Sequence, residues 1–248
     1  MNISRWLVVA GAVALLQIPA LAGPLTGSVT MDSGIEARNL DRLSVGLDAE
    51  MLQRDVEPES GGVMELKAQQ ASAFLGVDLF PWLAIYGTAG AAEAKLGDMG
   101  DYGDAQFKWS AGLNANIWHW EDSVKDPSWG LTIKAVGEFS QYESGDENNK
   151  VEWDEISAAL PLSYEIYFAT YPEGWADIDT LMIYAGPAFS AIDGTRTMKG
   201  AEFDFSESES AGILGGLDLF FTDSLSLRGQ VEFFDSVIYS ASLRYHFH

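Results

Sequence analysis

Val237-Ile-Tyr-Ser-Ala-Ser-Leu-Arg-Tyr-His-Phe-His248 closes the chain, and its alternation decides the fold. Val237, Tyr239, Ala241, Leu243, Tyr245 and Phe247 fall on one side, while Ser240, Ser242, Arg244 and His246 fall on the other. Ile238 alone breaks the rule. A period of two predicts a strand with one apolar and one polar face. An apolar face that ends in aromatics suits a strand turned toward lipid, with its end in an aromatic girdle.

The same period runs backward through the chain. The turn Thr222-Asp223-Ser224 joins a strand over 225–234 to a glycine-rich strand over 208–221. Earlier strands are predicted over 42–52, 66–80, 83–95, 105–118, 129–142, 151–168 and 180–191. Pro161 and Pro187 lie inside two of them, and a proline removes a ladder hydrogen bond, so a bulge or local break is expected at Pro161. Stretches 53–62, 97–104, 143–150 and 194–206 are acidic and read as loops. The total is about ten antiparallel strands, with eight or twelve if one hairpin is merged or missed, and both ends on one side. The predicted fold is all-β, a closed antiparallel up-and-down transmembrane β-barrel over 42–248. The alternative is a secreted, soluble β-sandwich that binds a ligand or glycan.

The final stretch resembles the C-terminal strand of bacterial outer-membrane β-barrels, although His248 makes Phe247 penultimate. The phrase Gly76-Val-Asp-Leu-Phe-Pro-Trp-Leu-Ala-Ile-Tyr-Gly87 resembles the tight periplasmic hairpins of small barrels of that kind. Nearly all of the chain after its first 22 residues is similar to the outer-membrane protein β-barrel domain family. That resemblance implies an assembly signal at Tyr239, Leu243, Tyr245 and Phe247, read by the outer-membrane assembly machinery. It also implies the lipid bilayer and lipopolysaccharide as partners, and a structural, surface-interaction or minor passive-permeation role in the outer membrane of a Gram-negative-type bacterium. It carries no catalytic residue onto this chain.

Targeting agrees with export. Arg5, the apolar run 6–16 and Ala20-Leu21-Ala22 read as a signal peptide over 1–22, cleaved before Gly23. The other reading, an uncleaved membrane helix, suffers from the short run and from Gln17 and Pro19. Residues 23–41 lack strong periodicity and form a periplasmic lead-in. Cysteine is absent from the 248 residues, which excludes disulfides and thiolate metal sites. The formal net charge is −23, from 37 acids against 14 bases, which excludes nucleic acid as a partner. The acidic loops read as a solvated surface, or as a place for divalent cations near anionic head groups.

The polar sides of the strands would line the lumen. Their charged members are Asp48, Glu50, Asp78, Lys108, Lys134, Glu138, Glu165, Asp218, Arg228, Glu232 and Arg244. The 222–224 turn sets Asp218 across from Arg228, and barrel closure brings Arg244 to Asp48 or Glu50. Small barrels have interiors filled by side chains, so an ion-paired plug is expected. The alternatives are a narrow cation-favouring pore and a pocket near the outer rim. No enzyme activity, cofactor or metal is expected. The histidines, His119, His246 and His248, sit at the periplasmic end, and no serine is placed suitably beside one. Trp82, Trp118, Trp120, Trp129, Trp153 and Trp175 lie near strand ends and read as girdle residues, or as a sugar-binding stripe.

Overall fold

A computed structural model describes residues 43–80, 82–97, 101–123, 128–146, 149–168, 178–222 and 224–247. The expected signal peptide, the lead-in, Trp175 and His248 lie outside the described residues. The strands are β1 (Leu43–Pro58), β2 (Met64–Phe80), β3 (Leu83–Leu96), β4 (Gln106–Glu121), β5 (Trp129–Asp146), β6 (Asn149–Ala159), β7 (Leu162–Tyr167), β8 (Thr180–Met198), β9 (Ala201–Glu207), β10 (Ala211–Thr222), β11 (Leu225–Phe233) and β12 (Val237–Phe247).

Every pairing between neighbours is antiparallel, and the sheet closes on itself through β1 and β12, from Leu43 opposite Phe247 to Met51 opposite Tyr239. The result is a closed up-and-down barrel of ten staves. β6 and β7 are two pieces of one stave, because both pair with β5 on one side and β8 on the other. The break at Leu160–Pro161 is where the interior proline predicted one. Its cost is absorbed locally, since Lys134 N donates to Pro161 O (3.0 Å) and Leu160 N donates to Pro187 O (3.0 Å).

Two stretches read as loops are strands instead. β1 continues through Asp55 and Glu57 to Pro58, and 194–206 holds the distal half of β8 and most of β9. β8 and β9 form a hairpin in which Met198 faces Ala201. Its two turn residues, Lys199 and Gly200, both have positive φ (51° and 83°), the backbone a two-residue hairpin turn requires. Likewise, β5 runs on to Asp146, through part of the stretch 143–150.

These extensions build a narrower section at the end distal to Leu43 and Phe247. β12 leaves β1 after Met51, and β9 takes over the same edge at Val56–Pro58. Inside and outside exchange character along single strands here. On β1, Leu47 and Met51 point out and Asp48 and Glu50 are buried; further along, Leu52 and Val56 are buried while Gln53 and Glu57 are exposed. On β6, Ile156 is exposed and Glu155 buried, whereas Trp153 and Val151 are buried with Asp154 and Glu152 exposed. β8 makes the same change between Ile183 and Phe189, which are exposed, and Asp193, which replaces them.

The barrel proper therefore has an apolar exterior and an interior that holds the buried charges beside a smaller apolar cluster around Val136, Met182 and Leu214, while the distal section has a polar exterior and, Arg54 apart, an apolar filling. Leu52, Val56, Leu66, Leu96, Val151, Trp153 and Phe205 are core members of a buried apolar cluster that fills the distal interior. Trp153 is thus not a girdle residue: its ring stacks on Tyr142 with centroids 4.6 Å apart, inside the wall.

Candidate functional site: the charged interior

The alternation of each strand carries one side chain in two to the barrel axis, so the interior is assembled from many staves at once. Asp48, Glu50, Asp78, Lys108, Lys134, Glu138, Glu165, Asp218, Arg228, Glu232 and Arg244 are all buried there. They do not form a single cluster.

The half nearer the chain ends is close to balanced, with four acids against three bases. Asp218 faces Arg228 in register, and the guanidinium grips the carboxylate with Nε and Nη2 at 2.7 and 2.5 Å. Arg244 reaches Asp48 rather than Glu50, with Nη2 to Oδ1 at 3.6 Å, and lies flat over the Phe74 ring at 3.8 Å. Lys134 is within electrostatic reach of Glu165 and Asp218 and touches the Met182 sulfur at 3.4 Å. Tyr167 donates to Glu165 at 3.0 Å. Asp78 is buried near the same rim.

The next layer is acid-rich. Glu50 interacts electrostatically with Glu138, Glu155 and Glu232, and Lys108 with Glu50 and Glu138; the Lys108 ammonium lies 5.2 Å from the centre of the Tyr142 ring. Neutral donors soften the imbalance. Gln70 donates to Glu50, Tyr86 to Glu138 (2.7 Å), Ser190 to Glu155 (3.0 Å), and Gln230 to Glu232 (2.9 Å) while accepting from Tyr184 (2.9 Å).

Above that layer Arg54 is fully buried and ties the two sections together. It pairs with Glu207 and Asp235, donates to Glu209 O (2.8 Å) and stacks over Phe234 at 3.9 Å. Asp235 also accepts from Asp55 N at 3.0 Å, which pins the turn between β11 and β12 to β1.

Sequence reasoning missed Arg54, Glu155, Gln70 and Gln230. Glu155 had a usable signal, because it shares strand parity with Ser157, opposite Ile156 and Ala158. Arg54, Glu207 and Asp235 had none, since acidic surroundings made their segments read as loops and turns. Ser226 Oγ is 3.0 Å from His246 Nε2, but both are buried, so this pair does not face outward.

Tyr239, Leu243, Tyr245 and Phe247 are exposed along the outer face of β12. More aromatics gather at that end, with Phe80 stacked on Trp82 (5.6 Å) and Trp120 against Trp129 (4.8 Å). Asp122, in the turn after β4, accepts from Ser128 Oγ (2.6 Å), Ser128 N (2.9 Å) and Trp129 N (3.3 Å). The Ser128 hydroxyl above all, and then these amides, hold its carboxyl below the usual aspartate range. At the distal end Lys150 bridges Glu143 (2.8 Å) and Glu152 (2.6 Å), and those two bonds raise its ammonium above the usual lysine value.

Among the described residues no group of three or more histidines or carboxylates is placed to hold a metal ion. No helix among them is long and apolar enough to cross a membrane, which leaves open a crossing by strands. The site and its scaffold define a closed β-barrel with a charged, hydrogen-bonded interior. The sequence matches no protein-family model and no curated protein.

Proposed function

We propose that the chain is an integral outer-membrane β-barrel, inserted with its ends on the periplasmic side and with a lumen filled by side chains. The observation that carries this reading is the exchange of polarity along single strands. Hydrocarbon around the barrel proper and water around the distal section would account for it. β12, at 11 residues, matches the roughly 9–11 tilted residues that span a bilayer. The exposed aromatics near the chain ends suit the inner interfacial belt.

The role is structural or surface-interacting, with the distal section standing above the outer leaflet. A narrow cation-favouring pore is the second reading, favoured by the acid-rich layer and opposed by the apolar cluster beyond it. The test is gel mobility of the purified chain, unheated and heated, beside a planar-bilayer recording. A heat-dependent shift without steady conductance is expected. Cation-selective steps would favour the pore. No shift, together with solubility in detergent-free buffer, would overturn the membrane reading.

A further inference from the structure

Just beyond the apolar belt, the outer wall holds a groove of about 540 Å³. One register row forms its floor. Trp109 of β4 faces Gln141 of β5, Gln141 faces Asp154 of β6, and Asp154 faces Asp193 of β8. Neighbouring strands lie about 4.8 Å apart. The row therefore presents an indole, an amide and two carboxylates at even spacing, and Phe107 adds a second exposed ring.

Two features of this row suit a ligand. The Trp109 indole is exposed yet fixed: its Nε1 donates to Gln141 Oε1 at 3.0 Å, and its ring meets Phe139 at 5.6 Å. It is a pre-organised apolar platform. Asp154 and Asp193 are like charges directly opposite each other, an arrangement that destabilises a sheet. Among the described residues neither carboxylate has a hydrogen bond or an ion pair, and the nearby Lys150 is taken by Glu143 and Glu152. Functional sites are one place where a sheet keeps such a conflict.

The chemistry narrows the ligand. The carboxylates repel anions, and although Glu143 and Glu152 also line the groove, no three acids or histidines among the described residues are placed to hold a metal ion. An uncharged molecule with a flat apolar face and several hydroxyl donors matches the ring, the amide and the acceptor carboxylates of this row. We infer that the groove binds a neutral, hydroxyl-rich glycan, with a pyranose stacked on Trp109 and its hydroxyls donated to Asp154, Asp193 and Gln141. The glycan is either a free oligosaccharide or the sugar head of a glycolipid. The inference holds whether or not the belt meets lipid.

The experiment uses the full chain in detergent and follows tryptophan fluorescence on titration with cellotetraose, maltotetraose, chitotetraose and a phosphorylated maltotetraose. At least one neutral tetrasaccharide should bind, and the phosphorylated one should bind about tenfold more weakly than its parent. Trp109→Ala should weaken binding by about tenfold or more. Asp193→Asn separates ligand binding from a structural role: it should raise the melting temperature by relieving the like-charge pair, and still weaken binding. Vesicles bearing the same sugar on a lipid identify the source, since tighter binding there points to a glycolipid and equal binding to a free oligosaccharide. The inference is overturned if none of the neutral sugars binds, or if binding survives both substitutions unchanged.

Discussion

Asp218 and Arg228 show how a buried charge is kept in this interior. The pair is bidentate and enclosed, so removing one partner leaves the other without compensation. Asp218→Ala should lower stability by about 3–5 kcal/mol, measured by urea unfolding in lipid or detergent. Replacing both by apolar residues of similar volume should recover most of that loss. Asp122 makes a different prediction, about pH. Its carboxyl is held below the usual range by Ser128 and Trp129. Its support for the turn is therefore complete above the ordinary aspartate value, and fades as pH falls through the depressed one. Hydrogen exchange at the Ser128 and Trp129 amides, corrected for intrinsic rate, should show protection that is lost only in strong acid. Protection that disappears already at the ordinary aspartate value would contradict the hydrogen-bond account. The Asp218–Arg228 pair was legible in the sequence, because a short turn fixes register. Arg54 was not: its partners Glu207 and Asp235 are far along the chain, and only the closed fold brings them to it.

At the scale of elements, the strand cores of the barrel proper were legible, because apolar and polar residues alternate there in the expected sense. The distal ends of β1, β5 and β8, beyond residues 52, 142 and 191, were not. There most charges, though not Arg54, point outward and the inward residues include serine and glycine, so the composition reads as loop while the backbone is paired strand. The break between β6 and β7 was legible through Pro161, whose missing donor no intact ladder could supply. β4 gives the sharpest test of which exterior meets hydrocarbon. Leu113 points outward between Ile85 and Gly137. Leu113→Arg should cost about 2–4 kcal/mol in a bilayer. Equal stability of the two proteins would argue that this surface faces water.

For the whole molecule, the decisive contrast is between the acid-rich layer and the apolar cluster above it. A hydrated lumen would favour cations, and the cluster of Leu66, Trp153 and Phe205 with its neighbours withholds water from the distal end. No steady conductance is expected from the natural chain in a planar bilayer. Replacing both Trp153 and Phe205 by serine should open brief, cation-selective steps. A double variant that stays silent would mean that the charged layer itself blocks passage. Neither the distal section nor its filling was visible in the sequence, because both depend on β9 reaching back to β1.

The seam between β1 and β12 has a consequence in time. Leu43 and Phe247 face each other, so the stave that begins the barrel finds its last neighbour only when the far end of the chain is present. Until then both are open edges with unpaired backbone groups, and the structure between them is an incomplete sheet. Closure is also the most non-local strand pairing among the described residues, so it pays the largest loop entropy of those pairings and is expected late in folding. A nascent or truncated chain lacking β12 is for that reason an exposed template for aggregation, and the cell must shelter it until the final strand arrives.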